Sequence, residues 1–177
     1  MNSEVPHMLT RRSFGKLGAA ASLALLGLAG CAHPQMIDPG STEEQVAAKL
    51  GQPDSRVVLP DGTVRLTYSL QPMGQEVWWM FFDRNGRFTK CEEILNEEHF
   101  SLVQPGKMKI SDVHQMFGHC AQVYHFKFLK QSAYMYRWQS AGFGPMAFWV
   151  QYNDSDQVVT EWTVSEDPWR SEHMLRD

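Results

Sequence analysis

The sequence predicts an α+β fold built as a tandem repeat, each unit a short helix followed by an antiparallel β-meander. Three observations carry this prediction. Two helix-sized amphipathic stretches each open on Pro-Gly and close on Gly, from Pro39-Gly40 to Gly51 and from Pro105-Gly106 to Gly118. Each is followed by a series of strand-like runs separated by turn signals. The landmarks recur at a slowly drifting offset: 66 residues from Gly40 to Gly106, 67 from Gly51 to Gly118 and 70 from Asp83 to Asn153. Changed loop lengths leave such a drift in a duplicated unit.

The first helix is expected to start at Ser41 or Thr42, which can cap it, with Glu44 or Gln45 three residues on. Val46 and Leu50 lie four apart and share its buried face. Gly51 ends it, and Gln52-Pro53 bars continuation. Strands follow at Arg56 to Leu59 and Thr63 to Leu70, with Asp61-Gly62 read as a type I′ turn. Glu76 to Phe82 is the next strand, Asp83-Arg84-Asn85-Gly86 a tight turn, and Arg87 to Cys91 the returning strand. Cys91 to Phe100 reads as a short acidic helix. In the second unit Val113 and Phe117 take the places of Val46 and Leu50. The strands there are Gln122 to Leu129, Ala133 to Gln139, Met146 to Tyr152 and Val158 to Val164, with Asn153-Asp154-Ser155-Asp156 as the last turn.

Ahead of the repeats lies an export signal. Arg11, Arg12 and Lys16 form a basic stretch, and Leu17 to Ala29 is an apolar run of thirteen residues. A membrane-spanning helix needs about 20, so this is a signal h-region rather than an anchor. Thr10-Arg11-Arg12-Ser13-Phe14-Gly15-Lys16 is similar to a twin-arginine export motif, with Gly15 where Leu is usual. Leu28-Ala29-Gly30-Cys31 resembles a bacterial lipobox, which makes Cys31 the acylated first residue of the mature chain. Several acyl chains hold a protein firmly where one does not. Ala32 rather than Asp after Cys31 points, by resemblance to enterobacteria-like sorting rules, to the periplasmic face of the outer membrane. The expected organisation is therefore signal peptide 1–30, lipidated tether 31–40, first unit 41–103, second unit 104–164 and tail 165–177, a surface segment in which Trp169 can tuck against the sheet.

Charge excludes some partners. Without Arg11, Arg12, Lys16 and Glu4 the chain keeps 13 Lys plus Arg against 19 Asp plus Glu, a net charge of −6. That is no electrostatic footprint for nucleic acid, and it makes the surface a poor candidate for binding acidic lipid headgroups, so membrane attachment is expected through Cys31. Cys91 and Cys120 either form one disulfide, as an oxidising compartment allows, or remain two buried small hydrophobes.

The strands are rich in aromatic residues. At Val77 to Phe82, alternation places Trp79 and Phe81 on one face and Trp78, Met80 and Phe82 on the other. A sheet covered by a helix on one side needs only one apolar face. The excess is either a concave binding surface or a second face covered by the other repeat. Trp79, Tyr136, Trp138 and Trp149 are the candidate protein-binding residues.

Reactive groups are few. His114, His119, Cys120 and His125 are the best cluster, but the spacing lacks both Cys-x-x-Cys and His-x-x-x-His, so no metal site is expected. Cys120 with His114 or His125 has the residue types of a nucleophilic pair, without an orienting acid or oxyanion hole in view. Glu92-Glu93 and Glu97-Glu98 are read as a solvated helix face. There is no Gly-rich phosphate loop and no Gly-x-Ser-x-Gly elbow. No cofactor is expected.

Pro39-Gly40-Ser41-Thr42-Glu43-Glu44-Gln45-Val46-Ala47-Ala48-Lys49-Leu50-Gly51-Gln52-Pro53, with the later aromatic Tyr68 and the strand Trp78 to Phe82, resembles the opening of the SmpA/OmlA (BamE-type) outer-membrane lipoprotein domain. The second unit matches more weakly: it lacks the Thr and has Gly118-His119-Cys120 where that family has Gly-x-Pro. The doubling is similar to the β-lactamase-inhibitory proteins, which carry two such units and present the concave face of a long sheet. The resemblance implies a non-catalytic, membrane-anchored lipoprotein that binds protein partners in the envelope, in outer-membrane assembly or maintenance, or else an inhibitor or regulator of a periplasmic enzyme.

Overall fold

The computed structural model describes residues 32–169. The signal with Arg11 and Arg12, the lipidation residue Cys31 and the last eight residues of the tail lie outside them. After one turn of 3-10 helix at Pro34–Met36, the elements run α1 (Glu43–Leu50), β1 (Ser55–Val58), β2 (Val64–Ser69), β3 (Val77–Phe82), β4 (Phe88–Glu93), α2 (Glu97–Phe100), α3 (Ile110–Phe117), β5 (Gln122–Phe126), β6 (Gln131–Ser140), β7 (Gly144–Asn153) and β8 (Val159–Glu166). The strands form two four-stranded antiparallel sheets, β1-β2-β3-β4 and β5-β6-β7-β8, each a simple meander.

The two halves are closed by the same local devices. Thr42 caps α1 in a full capping box with Gln45, and the Asp112 carboxylate accepts from Lys109 N at the start of α3. Both helices end on a glycine in the left-handed region, Gly51 at φ +87° and Gly118 at φ +69°. Gly40 N donates to Phe88 O in the first unit, and Gly106 N donates to Val159 O in the second. A buried tyrosine then ties each sheet to its helix end: Tyr68 Oη donates to Gly51 O (3.2 Å) and Tyr136 Oη to Gly118 O (2.9 Å).

Several expectations change. The segment 31–40 is no free tether from His33 onward. Pro34 and Ile37 are buried, and His33 Nε2 meets Glu76 Oε2 at 2.7 Å with its ring edge-on to Trp78. The β1–β2 turn is not type I′, because Asp61 keeps a negative φ. Pro60 has the fixed φ that suits the second position of an ordinary turn, closed by Gly62 N to Leu59 O. Of the predicted helix 91–100, only Glu97–Phe100 forms. Cys91, Glu92 and Glu93 pair with Met80, Trp79 and Trp78 and extend β4, because strand pairing satisfies the backbone that a short acidic helix would leave open. β8 runs on to Glu166, and Asp167 beyond it is buried, so the tail begins inside the body. Trp169 lies against Arg137, its ring 4.6 Å from the guanidinium carbon.

Two cores result. The smaller lies under α1: Ile37, Val46, Val64, Leu66, Tyr68, Met80, Phe82 and Phe88. The larger joins the units. Val77 and Trp79 from the other face of β3 pack with Phe100 of α2, with Val113 and Phe117 of α3, and with Tyr136, Trp138, Phe148 and Val150 of the second sheet. Phe100 stacks on Phe148 at 3.9 Å and 8°, so α2 of the first unit completes the core of the second. The layers are α1, first sheet, α3 with α2, second sheet. Both cores lie within 37–159 of one compact unit, so this body holds what it needs to fold.

Candidate functional site

Three of the four aromatic residues expected to face a partner are core. Trp79 is 8% exposed, Trp138 6% and Tyr136 wholly buried. The physical reason is α3, which fills the space between the sheets. Its C-terminal turn needs acceptors satisfied, and a row of first-sheet side chains supplies the donors. Ser55 Oγ and Thr67 Oγ1 donate to Gln115 O (2.7 and 3.2 Å), and Trp79 Nε1 donates to Met116 O (2.7 Å). Ser55, Thr67 and Trp79 are register partners across β1, β2 and β3. Ser69 Oγ donates to His119 O just beyond the helix. The second aromatic face of the first sheet is thus an internal joint. Of the two readings open for it, coverage by the other repeat is the one the structure shows.

Three of the four sheet faces are covered in this way. The fourth is the outer face of the second sheet, opposite Tyr136, Trp138, Phe148 and Val150. Alternation brings Tyr124, Ala133, Met135, Ala147 and Trp149 to it; Ala133, Met135 and Ala147 are themselves buried, so of these five only the two rings reach the surface. Trp149 and Tyr124 are half-buried, with ring centroids 5.1 Å apart, and small Ala133 and Ala147 beside them leave room for that approach. Trp149 Nε1 donates to Ser165 Oγ at 2.9 Å, which fixes the indole. One end of β6 is held by Arg137, whose Nε pairs with buried Asp167 at 2.8 Å. The Gln71 side-chain amide bonds both the N and the O of Arg137. It stands where a longer β5 would continue the ladder. Of the candidate residues, Trp149 alone stays on an open face.

The histidine cluster is dispersed. His114 lies in the last turn of α3. Cys120 packs against the larger core, and burial pushes its thiol up to about 11, away from the thiolate a nucleophile needs. Cys91 lies on the other side of the first sheet, against the smaller core. Both cysteines are free and half-buried, one against each core, on opposite sides of the first sheet. His125 Nδ1 is 2.8 Å from Ser132 Oγ, which donates to Asp154 Oδ1 at 2.6 Å. The hydroxyl proton therefore faces the carboxylate and not the imidazole, and Ser132 is buried. That is the wrong order for activating a nucleophile.

His119 finds a partner that was not visible in the sequence. Its Nδ1 lies 2.5 Å from Asp54 Oδ1, and its Nε2 bonds the Gln71 carbonyl. Asp54 also accepts from His119 N (3.0 Å) and Ser69 N (2.8 Å). With both ring nitrogens donating, the imidazolium is favoured. Burial lowers its pKa, but the Asp54 carboxylate and the Gln71 carbonyl outweigh burial and raise it. The pair lines a hollow of about 310 Å³ whose other residues include Ala32, Pro34, Leu50 and Tyr68. Ser69 also lines it, but its hydroxyl donates to His119 O and accepts from Gln71 N, and both His119 ring nitrogens are held by Asp54 and the Gln71 carbonyl, so the group bridges the two units rather than activating the serine. Nothing local signals it, since Asp54 and His119 are 65 residues apart.

Among the described residues no group of three or more His, Cys, Asp or Glu is arranged to hold a metal ion, and no helix is long and apolar enough to cross a membrane. Compared with known proteins, the chain matches no family model, no curated protein and no solved structure.

Proposed function

We propose that this chain is exported, acylated at Cys31 and held at the periplasmic face of the outer membrane, where it works by binding protein rather than by chemistry. The observation that carries the binding role is the outer face of the second sheet, where half-buried Tyr124 of β5 and Trp149 of β7 reach the surface, while the other sheet faces pack against α1 or α3. A fixed aromatic pair on a rigid sheet is a low-entropy anchor for a partner. The signal and Leu28-Ala29-Gly30-Cys31 support the placement. Because His33 already packs on the body, acylation at Cys31 would leave Ala32 alone as spacer.

The resemblance to the BamE-type domain favours a role in outer-membrane assembly or maintenance. The doubled unit favours the second reading, an inhibitor or regulator of a periplasmic enzyme. One experiment addresses each part. Mass spectrometry of the N-terminal peptide from the native host is expected to show cleavage before Cys31 and three acyl chains on it; an uncleaved, unmodified N-terminus overturns the placement. A photo-crosslinker at Trp149 in the intact envelope is expected to capture one defined partner, with a β-barrel assembly component supporting the first role and a soluble enzyme the second. Equal labelling from Trp149 and from Met36, an exposed residue far from the sheet face in sequence, overturns the binding surface.

A further inference from the structure

We propose that the tip of the β5–β6 hairpin is a membrane-insertion loop, with Phe126, Phe128 and Leu129 entering the acyl boundary of a bilayer and Lys127 and Lys130 holding its anionic headgroups. Phe128 is 104% exposed, Leu129 67% and Phe126 40%. The other exposed large apolar side chains, Met36, Val58, Met73, Leu102 and Phe143, are scattered along the chain, as is ordinary on any surface. Among the described residues, only at 126–129 do three fall together. A side chain as open as in an unfolded strand contributes nothing to folding, so Phe128 has no structural role to explain it.

The fold does not require this sequence at the tip. The corresponding hairpin of the first unit, β1–β2, turns on Pro60-Asp61-Gly62, with Asp61 bonding Thr63 N and its hydroxyl. The second tip is ordered by backbone alone. Leu129 N donates to Phe126 O, Lys130 N to Lys127 O, and Lys130 takes φ +52° with its carbonyl accepting from Asp154 N. A non-glycine residue in the left-handed region is uncommon, and here it directs the chain back while the apolar side chains project outward.

Charge favours a bilayer over a protein pocket. The chain is net −4, yet the tip carries two lysines, and neither makes an ion pair among the described residues. Asp154 and Asp156 stand in the neighbouring β7–β8 turn; their carboxylates accept from Ser132 Oγ and Val158 N, stay charged, and pair with neither lysine. A protruding aromatic tip flanked by lysines needs no complementary groove. The rings enter the interface, and the lysine stems lie along it with their ammonium groups at the headgroups.

The test uses residues 32–177, which keep both cores and lack Cys31, in co-sedimentation with two kinds of vesicle. On vesicles of phosphatidylethanolamine and phosphatidylglycerol the protein is expected to bind, and more weakly as salt rises. F128S/L129S, at sites too exposed to affect folding, is expected to lower partition about 100-fold, roughly tenfold for each side chain withdrawn from the acyl boundary. K127Q/K130Q is expected to lower it about 25-fold, roughly fivefold for each lysine, and to leave any weak binding to phosphatidylcholine vesicles unchanged. M73S, at an equally exposed methionine elsewhere, is expected to change nothing. Absence of binding to the anionic vesicles overturns the proposal, as does binding that F128S/L129S leaves intact. Loss of protein crosslinking in that variant with vesicle binding unchanged assigns the tip to a protein partner and also overturns it. The result is independent of the lipid anchor: an unacylated Cys31 removes that reading and leaves this one standing.

Discussion

Replacing Asp54 by Ala tests the joint between the two units. The carboxylate accepts from Ser69 N, His119 N and the His119 ring, and its side chain is 13% exposed. Hydrogen bonds to a charged group contribute about 1.5–3 kcal/mol each. Taking the low end for the two backbone donors gives about 3 kcal/mol. The ring pair adds less, because the imidazole is 47% exposed and solvent screens it, about 0.5–1 kcal/mol. The expected loss is therefore about 3–4 kcal/mol, or roughly 10 °C in Tm for a body of this size. Urea unfolding followed by tryptophan fluorescence measures it.

The pH dependence separates the ring from the backbone bonds. His119 is more basic folded than unfolded. Its contribution is therefore full below the unfolded value of about 6.5 and is lost as pH rises through the raised folded value. The gap between the parent protein and His119→Gln is expected to be largest near pH 6 and to shrink towards pH 9, while the larger part of the Asp54→Ala loss persists at both. A loss under about 1 kcal/mol for Asp54→Ala, well below what two such bonds contribute, would refute the reasoning. So would a His119→Gln gap that widens with rising pH.

Gly118 and Gly51 are equivalent in position but not in surroundings. A Cβ at Gly118 would lie 2.8 Å from Asp54 Cγ, whereas at Gly51 nothing lies within 4 Å. Both carry positive φ, so Gly51→Ala is expected to cost about 1 kcal/mol and Gly118→Ala about 3 kcal/mol, since it also displaces the carboxylate; equal losses in urea melts contradict this. Phe100→Ala removes the ring stacked on Phe148 and is expected to cost about 3–5 kcal/mol in the same assay. Cys91 and Cys120 are expected to be alkylated as two thiols when the protein is denatured without reductant, with mass spectrometry as the readout. Trp149→Ala is expected to cost about 1–3 kcal/mol, from the ring contact with Tyr124 and the indole hydrogen bond, while abolishing capture of the envelope partner; capture left intact contradicts the binding surface.

Local chemistry was legible in the residues. Thr42 with Gln45, Gly51 and Gly118, the Asp83 to Gly86 turn and the alternation at Val77 to Phe82 are short-range features. Each acts within a few residues of itself, and each appears in the structure. The two helix-plus-meander halves follow from them. Misreadings arose where one stretch had two local solutions. Cys91 to Glu93 has the acidity of a helix surface and the register of a strand, and pairing with β3 decided it. Phe128 looked like a strand residue, but the backbone turns at Lys127 to Lys130 and leaves it exposed.

The sequence by itself determined where the two eight-residue helices start and stop, that the Asp83–Gly86 segment turns, and that the pattern occurs twice. Only the tertiary structure decided what covers each face. Alternation distinguishes two sides of a strand but does not say what lies over them, because the covering group is distant along the chain. Trp79 became a donor to Met116 O, 37 residues away, and His119 became the partner of Asp54, 65 residues away. Burial belongs to the packed assembly and not to the residue. For that reason Tyr136 and Trp138 lie inside while Trp149, next to equally apolar neighbours, faces out.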